Sequence, residues 1–106
     1  MGRDTLGDFE KLVLLACLRL GSQAYTVAVV DEIKARTGRE PSHSAVYVAL
    51  RRMESKGLVR STMGAPTAER GGRPKRFFTV EPAARTALRV AREELTSMWD
   101  GIEGAV

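Results

Sequence analysis

Cysteine and histidine are almost absent from the sequence, which has one residue of each, Cys17 and His43. A single cysteine excludes an internal disulfide and a cysteine-rich metal cluster. Cys17 lies in the apolar stretch LVLLACLRL, where a buried core thiol is expected rather than a nucleophile. With no second histidine there is no metal-ligand set, so we expect neither a metal nor a cofactor, and we interpret His43 as a polar residue near a helix end.

Long hydrophobic runs and catalytic patterns are also missing. The longest apolar run, Leu12 to Leu18, is far shorter than the roughly 18 to 20 residues that a membrane span needs. The first residues, MGRDT, are polar and lead directly into a helical pattern, so we expect no secretion signal and a cytoplasmic protein. No Ser/His/Asp order, no paired carboxylates in an apolar setting and no glycine-rich loop before a helix occurs, so an enzyme is not expected.

Positive charge is present and is concentrated in the middle of the chain. Residues 51–92 carry eleven basic and three acidic side chains, whereas residues 1–50 carry six of each and residues 93–106 carry four acidic side chains only. Such a stretch is typical of a protein that displaces counterions from a polyanion. The alternative is a basic face that is simply solvated.

Apolar periodicity predicts one mainly helical domain with a small β-hairpin. Helices are expected over residues 8–20 and 26–37, then from a cap at Ser42 to Lys56, with strands over 58–63 and 76–80 and a long loop between them. Pro82 is suited to open a last helix. Three helices followed by a hairpin make a winged helix-turn-helix, so we assign residues 6–81 to a DNA-binding domain and residues 82–104 to a dimerisation helix.

The last helix has the apolar spacing of a two-helix seam. Its apolar residues recur at alternating steps of four and three, at Ala84, Leu88, Ala91, Leu95, Met98 and Ile102. The first helix is apolar on nearly all sides, which also indicates a partner subunit. The predicted dimer interface comprises Leu12, Leu15, Leu88, Ala91, Leu95, Met98 and Ile102. The alternative is that the stripe packs back onto its own domain.

The outer face of the third helix is small, polar and cationic, which suits the major groove of DNA. We expect DNA contacts from Ser42, His43, Ser44, Tyr47, Val48, Arg51 and Arg52. The two serines lie where they cap the helix or, with free backbone N–H groups, bind phosphate. Val48 either touches a thymine methyl group or is ordinary surface.

The stretch ERGGRPKRFF contains the cations expected at the tip and base of the hairpin. Glycines allow a tight turn there, and the flanking cations reach the phosphate backbone or a narrow minor groove. The predicted contacts are Arg70, Gly72, Arg73, Lys75 and Arg76. The alternative is an unstructured basic loop that binds nothing.

Four segments together resemble the PadR family of bacterial transcriptional regulators over residues 6 to about 100. They are LGDFEKLVLLACLRLG, AYTVAVVDEIKARTG, SHSAVYVALRRMESKGLVRS and ERGGRPKRFFTVEPAAR. The resemblance implies a dimeric winged-helix repressor with a short C-terminal part and, as in many members, release of DNA when a small, often aromatic, compound or a cellular signal acts on it. Tyr25 and Tyr47 match family positions, and the latter is expected beside the DNA backbone. Phe77 and Phe78 depart from the family, because tyrosines are usual in the strand pair; Glu81 and Ala84 stand where threonine and glycine are common.

We therefore expect a homodimeric repressor that binds double-stranded DNA at a pseudo-palindromic operator, with half-sites about one helical turn apart, roughly 34 Å. The alternative function is a protein-interaction module without specific DNA binding. A small aromatic effector is expected, if at all, where Leu14, Leu15, Met98 and Trp99 converge at the dimer centre. Trp99 would stack on that compound or would merely fill the interface.

Overall fold

The computed structural model describes residues 6–64 and 74–106. Within these ranges the chain forms helices α1 (Asp8–Leu20), α2 (Thr26–Thr37), α3 (His43–Ser55) and α4 (Pro82–Trp99), with strands β1 (Val59–Met63) and β2 (Arg76–Val80). Short 3-10 turns cover Gly21–Gln23 and Glu103–Ala105. The predicted mainly helical fold with an antiparallel hairpin is confirmed. None of the helices described is long and apolar enough to cross a membrane.

Local signals at the helix ends explain where α1, α2 and α3 begin and end. The N–H of Gly7 donates to Oε1 of Glu10 at 2.9 Å, which satisfies a backbone donor at the start of α1. Gly38 ends α2 with a φ of 76°, a left-handed conformation that glycine adopts without a steric penalty. Ser42 caps α3, because its Oγ accepts from the N–H of Ala45 at 3.0 Å.

The core lies between α1, α2, α3 and the inner face of the hairpin. Its largest fully buried side chains include Leu14, Leu50, Met53 and Phe78. Cys17 is also buried, and this burial raises the pKa of its thiol to about 12. The sulfur is therefore a protonated core group and not a nucleophile at neutral pH.

Strand β2 is hydrogen-bonded on both of its edges. β1 and β2 pair antiparallel from Val59 opposite Val80 to Met63 opposite Arg76. The other edge of β2 meets the segment before α2, where the N–H of Phe78 donates to the carbonyl of Ala24 at 2.8 Å. These bonds fix the base of the wing against the three-helix core.

Helix α4 leaves the domain soon after it begins. Ala84 is its one fully buried residue, and every residue from Arg92 to Trp99 is exposed. The prediction of a helix to residue 104 is wrong, because Asp100 leaves the helical conformation and Gly101 takes a φ of 87°, which residues with a Cβ rarely adopt. Ile102 therefore lies beyond the helix and does not continue its apolar stripe.

Candidate nucleic-acid interface

The outward face of α3 carries the side chains that sequence reasoning assigned to DNA. His43, Ser44, Val48 and Arg52 are exposed along it, and the valine retains half of its accessible surface. Ser44 Oγ lies 3.4 Å from Ser42 Oγ, the atom that caps the helix. The capping role of Ser42 is thus seen directly, and the small serines leave the first turn of α3 open to approach by a large partner.

Tyr47 and Arg51 form a pair on the side of α3 that faces the wing. The Nη1 atom of Arg51 donates to the Tyr47 hydroxyl at 2.8 Å, and the guanidinium carbon lies 5.8 Å from the ring centroid. This hydrogen bond, together with the positive charges of Arg51 and Arg76, lowers the pKa of Tyr47. The phenol is therefore surrounded by cationic donors, an environment suited to a phosphate oxygen.

Glu54 connects this pair to the hairpin. Its Oε1 lies 3.1 Å from Nε of Arg51, and its Oε2 accepts from the Ser61 hydroxyl at 2.6 Å. Ser61 in turn accepts from Nη1 of Arg76 at 2.9 Å. One carboxylate on α3 thus fixes cations from two elements, α3 and β2, at neighbouring positions.

A second contact holds the wing base against the start of α2. Nζ of Lys75 lies 4.2 Å from the centroid of the Tyr25 ring, and the Phe77 ring packs edge-on against the same tyrosine at 5.6 Å. The Lys75 side chain is exposed, so its ammonium group remains accessible while it rests on the aromatic face. Arg76 therefore lies on the side of β2 that meets α3, whereas Lys75 lies against Tyr25 at the start of α2.

The remaining wing predictions, Arg70, Gly72 and Arg73, lie outside the described residues. Among residues 6–64 and 74–106, no group of three or more His, Cys, Asp or Glu side chains could hold a metal ion.

The residues predicted for the dimer interface and the effector site lie in three places: in a groove between α1 and α4, in or against the core, and exposed outside the groove. Leu15, Leu88, Ala91, Leu95 and Trp99 line one groove of about 750 Å³ between α1 and α4. Leu14 is fully buried in the core and Leu12 packs against it, so neither lines that groove. Met98 is 76% exposed and also lies outside the groove lining. The four predicted effector residues therefore do not converge within one subunit.

Sequence reasoning missed Glu54 and Ser61 as parts of the candidate interface. Both are ordinary polar residues, and because one lies on a helix and the other on a strand, no single periodicity relates them. Tyr25 matches a family position, but its contact with Lys75 joins residues 50 positions apart in the sequence. The Tyr25 contact follows from the bridge between Tyr25 and Phe77, and the Glu54 contact from the packing of β1 beside α3, neither of which is visible in the sequence.

Comparison with known proteins gave consistent results. A family model described as the transcriptional regulator PadR-like family matches residues 14–90. A PadR family transcription regulator from Clostridium difficile R20291 is 20% identical, with 93% of this chain and 94% of that chain covered and a TM-score of 0.68. A PadR family regulator from Eggerthella lenta DSM 2243 is 25% identical, with 90% and 80% covered and a TM-score of 0.65.

A third similar structure is BpsR of Bordetella bronchiseptica, which was described for the regulation of its DNA binding by 6-hydroxynicotinic acid. It is 19% identical, with 96% of this chain and 71% of that chain covered and a TM-score of 0.64. The curated proteins gave no match. The resemblance found in the sequence is confirmed, because the family model spans most of the chain: this protein belongs to the PadR-like family of DNA-binding transcriptional regulators.

Proposed function

We propose that the chain is a homodimeric, cytoplasmic repressor that binds a pseudo-palindromic DNA operator. The observation that carries this proposal is the convergence of Arg51 from α3 and Arg76 from β2 around the exposed hydroxyl of Tyr47. In the proposed complex, the exposed side of α3 enters the major groove, while Lys75 and Arg76 meet the phosphates beside it. Membership of a family of DNA-binding regulators supports the same assignment.

The proposed dimer uses the groove between α1 and α4. Its apolar floor is formed by Leu15, Leu18, Leu88, Leu95 and Trp99; Leu18 and Leu88 pack partly against the core, whereas the other three side chains are exposed in one subunit. A second copy of α4 would bury these side chains, since exposed apolar residues at helical spacing match the seam of a two-helix packing. Two copies would also place two α3 helices on one side of the dimer, so half-sites about one helical turn apart, roughly 34 Å, are expected.

A small aromatic compound is the proposed effector. Trp99 offers a flat surface in the groove, and Arg85, Arg89 and Arg92 stand along its rim. The similar structure of BpsR is associated with 6-hydroxynicotinic acid, an aromatic compound with a carboxyl group. Binding would release DNA by changing how the two copies pack, because the groove is shared between ligand and dimer contact. Quenching of Trp99 fluorescence across a panel of aromatic acids tests this step, and unaltered emission throughout would reject it.

The direct test of the function is a mobility-shift assay with the DNA upstream of the protein's own gene. We expect a retarded complex that contains two protein chains, and footprinting should reveal two related half-sites. Transcription from that region in a reporter strain should fall when the protein is supplied. The proposal fails if no candidate fragment is shifted at low salt, or if the shifted species contains one chain.

A further inference from the structure

Arg51 and Arg52, the two neighbouring arginines of α3, differ in whether their N–H donors already contact other residues of the protein. A guanidinium reads guanine through two parallel N–H donors on one edge, either Nη1 with Nη2 or Nε with Nη2. In Arg51, Nη1 donates to the Tyr47 hydroxyl at 2.8 Å and Nε lies 3.1 Å from Oε1 of Glu54. Nη1 is therefore engaged in a hydrogen bond, while Nε faces Oε1 of Glu54 in an ion pair whose geometry falls short of a hydrogen bond, so each edge has one donor turned to a partner within the protein.

Glu54 is itself held in place. Its second oxygen accepts from the Ser61 hydroxyl on β1 at 2.6 Å, and Ser61 also accepts from Arg76. The carboxylate therefore keeps Arg51 turned toward the wing, where Arg76 adds a second positive charge. Reading a base with Arg51 would require the contact on the edge used to break, either the hydrogen bond to Tyr47 or the ion pair with the half-buried carboxylate of Glu54.

Arg52 lies on the other margin of the outward face. It borders a surface groove that also contains Ser44, Val48 and the first turn of α1. Its exposed guanidinium makes no hydrogen bond and no ion pair with any residue in the ranges 6–64 and 74–106. As far as the described part of the chain is concerned, both donor edges of Arg52 are thus available for a partner.

We propose that Arg52 is the specificity-determining residue of α3, which reads a guanine edge in the major groove, and that Arg51 is held by Tyr47 and Glu54 to contact backbone phosphate. This inference rests on the proposed DNA-binding function and adds a division of roles within it. Glu54 acts through Arg51 as a positioning residue. Sequence alone assigns the two arginines the same role, because they are adjacent and chemically identical.

Selection of preferred sequences from a random duplex library tests this division and does not require the operator to be identified first. Unaltered protein, Arg51→Gln and Arg52→Gln are taken through the same selection. Glutamine is uncharged and pairs with adenine, so it does not replace the two N–H donors that arginine offers to guanine, whereas the ammonium group of lysine could still donate to guanine. Thermal unfolding of the three proteins shows that each is folded before the selections are compared.

Arg52→Gln is expected to lose its preference for guanine at one position in each half-site, with discrimination reduced roughly 5- to 150-fold. Arg51→Gln is expected to select the same sequence as the unaltered protein, with weaker overall binding, because a phosphate contact is lost. If Arg52→Gln does not fold, Arg52→Ala is selected instead, with the same loss of preference expected. The inference is overturned if Arg51→Gln changes the selected sequence, or if the Arg52 variant keeps it.

The outcome for the unaltered protein separates this inference from the function on which it rests. Recovery of no preferred sequence by the unaltered protein would overturn the proposed function and this inference together. Recovery of a sequence that depends on Arg51 would overturn the inference alone.

Discussion

Replacing Arg76 by glutamine tests whether the wing base contacts DNA phosphate. The Arg76 side chain lies at the start of β2 and donates to Ser61 at 2.9 Å. A glutamine amide keeps a donor for Ser61, so the main change is the loss of one positive charge per subunit. We expect weaker binding to every DNA sequence, with no change in the preferred one, since phosphate contacts carry no base information.

The size of the effect follows from counterion release. Each phosphate contact on duplex DNA contributes about 0.9 to the slope of log affinity against log salt, so one lost contact in each subunit lowers the slope by about 1.8. Raising the salt roughly fourfold, from about 50 to about 200 mM, should therefore reduce the ratio of the affinity of the unaltered protein to that of the variant by about twelvefold.

Fluorescence anisotropy with a labelled duplex at several salt concentrations measures the two slopes. Arg19→Gln is the matched control, because it removes the same charge from the α1–α2 surface, beside Leu15 and Arg36. Its slope should equal that of the unaltered protein. Parallel salt plots for Arg76→Gln and the unaltered protein would refute the reasoning, since Arg76 would then neutralise no phosphate.

Three further substitutions test the core, the dimer and the tyrosine environment. Phe78→Ala should lower the free energy of unfolding by about 3 to 5 kcal/mol in urea denaturation, because the ring is 1% exposed; a loss well under 1 kcal/mol would contradict its role in the core. Leu95→Glu should convert the dimer to a monomer in sedimentation analysis, whereas Val90→Glu, on the other side of α4, should not. Arg51→Ala should raise the pKa of Tyr47 in an absorbance titration, because the hydrogen bond that lowers it is lost; an unshifted curve would exclude that bond in solution.

The helices and strands could be predicted closely because their signals are local. Ser42, Gly38 and Pro82 each act within a few residues of themselves, by capping a helix, by accepting a left-handed conformation and by fixing φ. The end of α4 could not be predicted from the apolar pattern, because Ile102 keeps the helical spacing of the apolar residues beyond Gly101. Apolar spacing shows which residues would lie on one face of a continuous helix, but it does not show at which residue the helix ends.

The arrangement of the site was less predictable, because it depends on pairs of distant residues. Positive charge in the middle of the chain indicated which segments carry the basic side chains, but not how each cation is oriented. The partners of Arg51 lie at helical spacing within α3, but the position of one of them, Glu54, is fixed by the register of β1, which brings Ser61 to its carboxylate. A shift of one residue in that register would turn Ser61 to the opposite face of the hairpin and remove this link.

The two phenylalanines of β2 show how the core determines the geometry of the candidate interface. Alternation along the strand directs Phe78 into the core, where it is fully buried and packs edge-on against Tyr47 at 6.4 Å. A tyrosine hydroxyl at Phe78 would have to find a hydrogen-bond partner in that apolar interior, so the phenyl ring is the better fit. Phe77 points to the opposite side of the strand and packs on Tyr25, whose ring also contacts the ammonium group of Lys75. Each ring thus supports a tyrosine that contacts a cation, so a change in the packing of β2 should move Arg51 and Lys75 together.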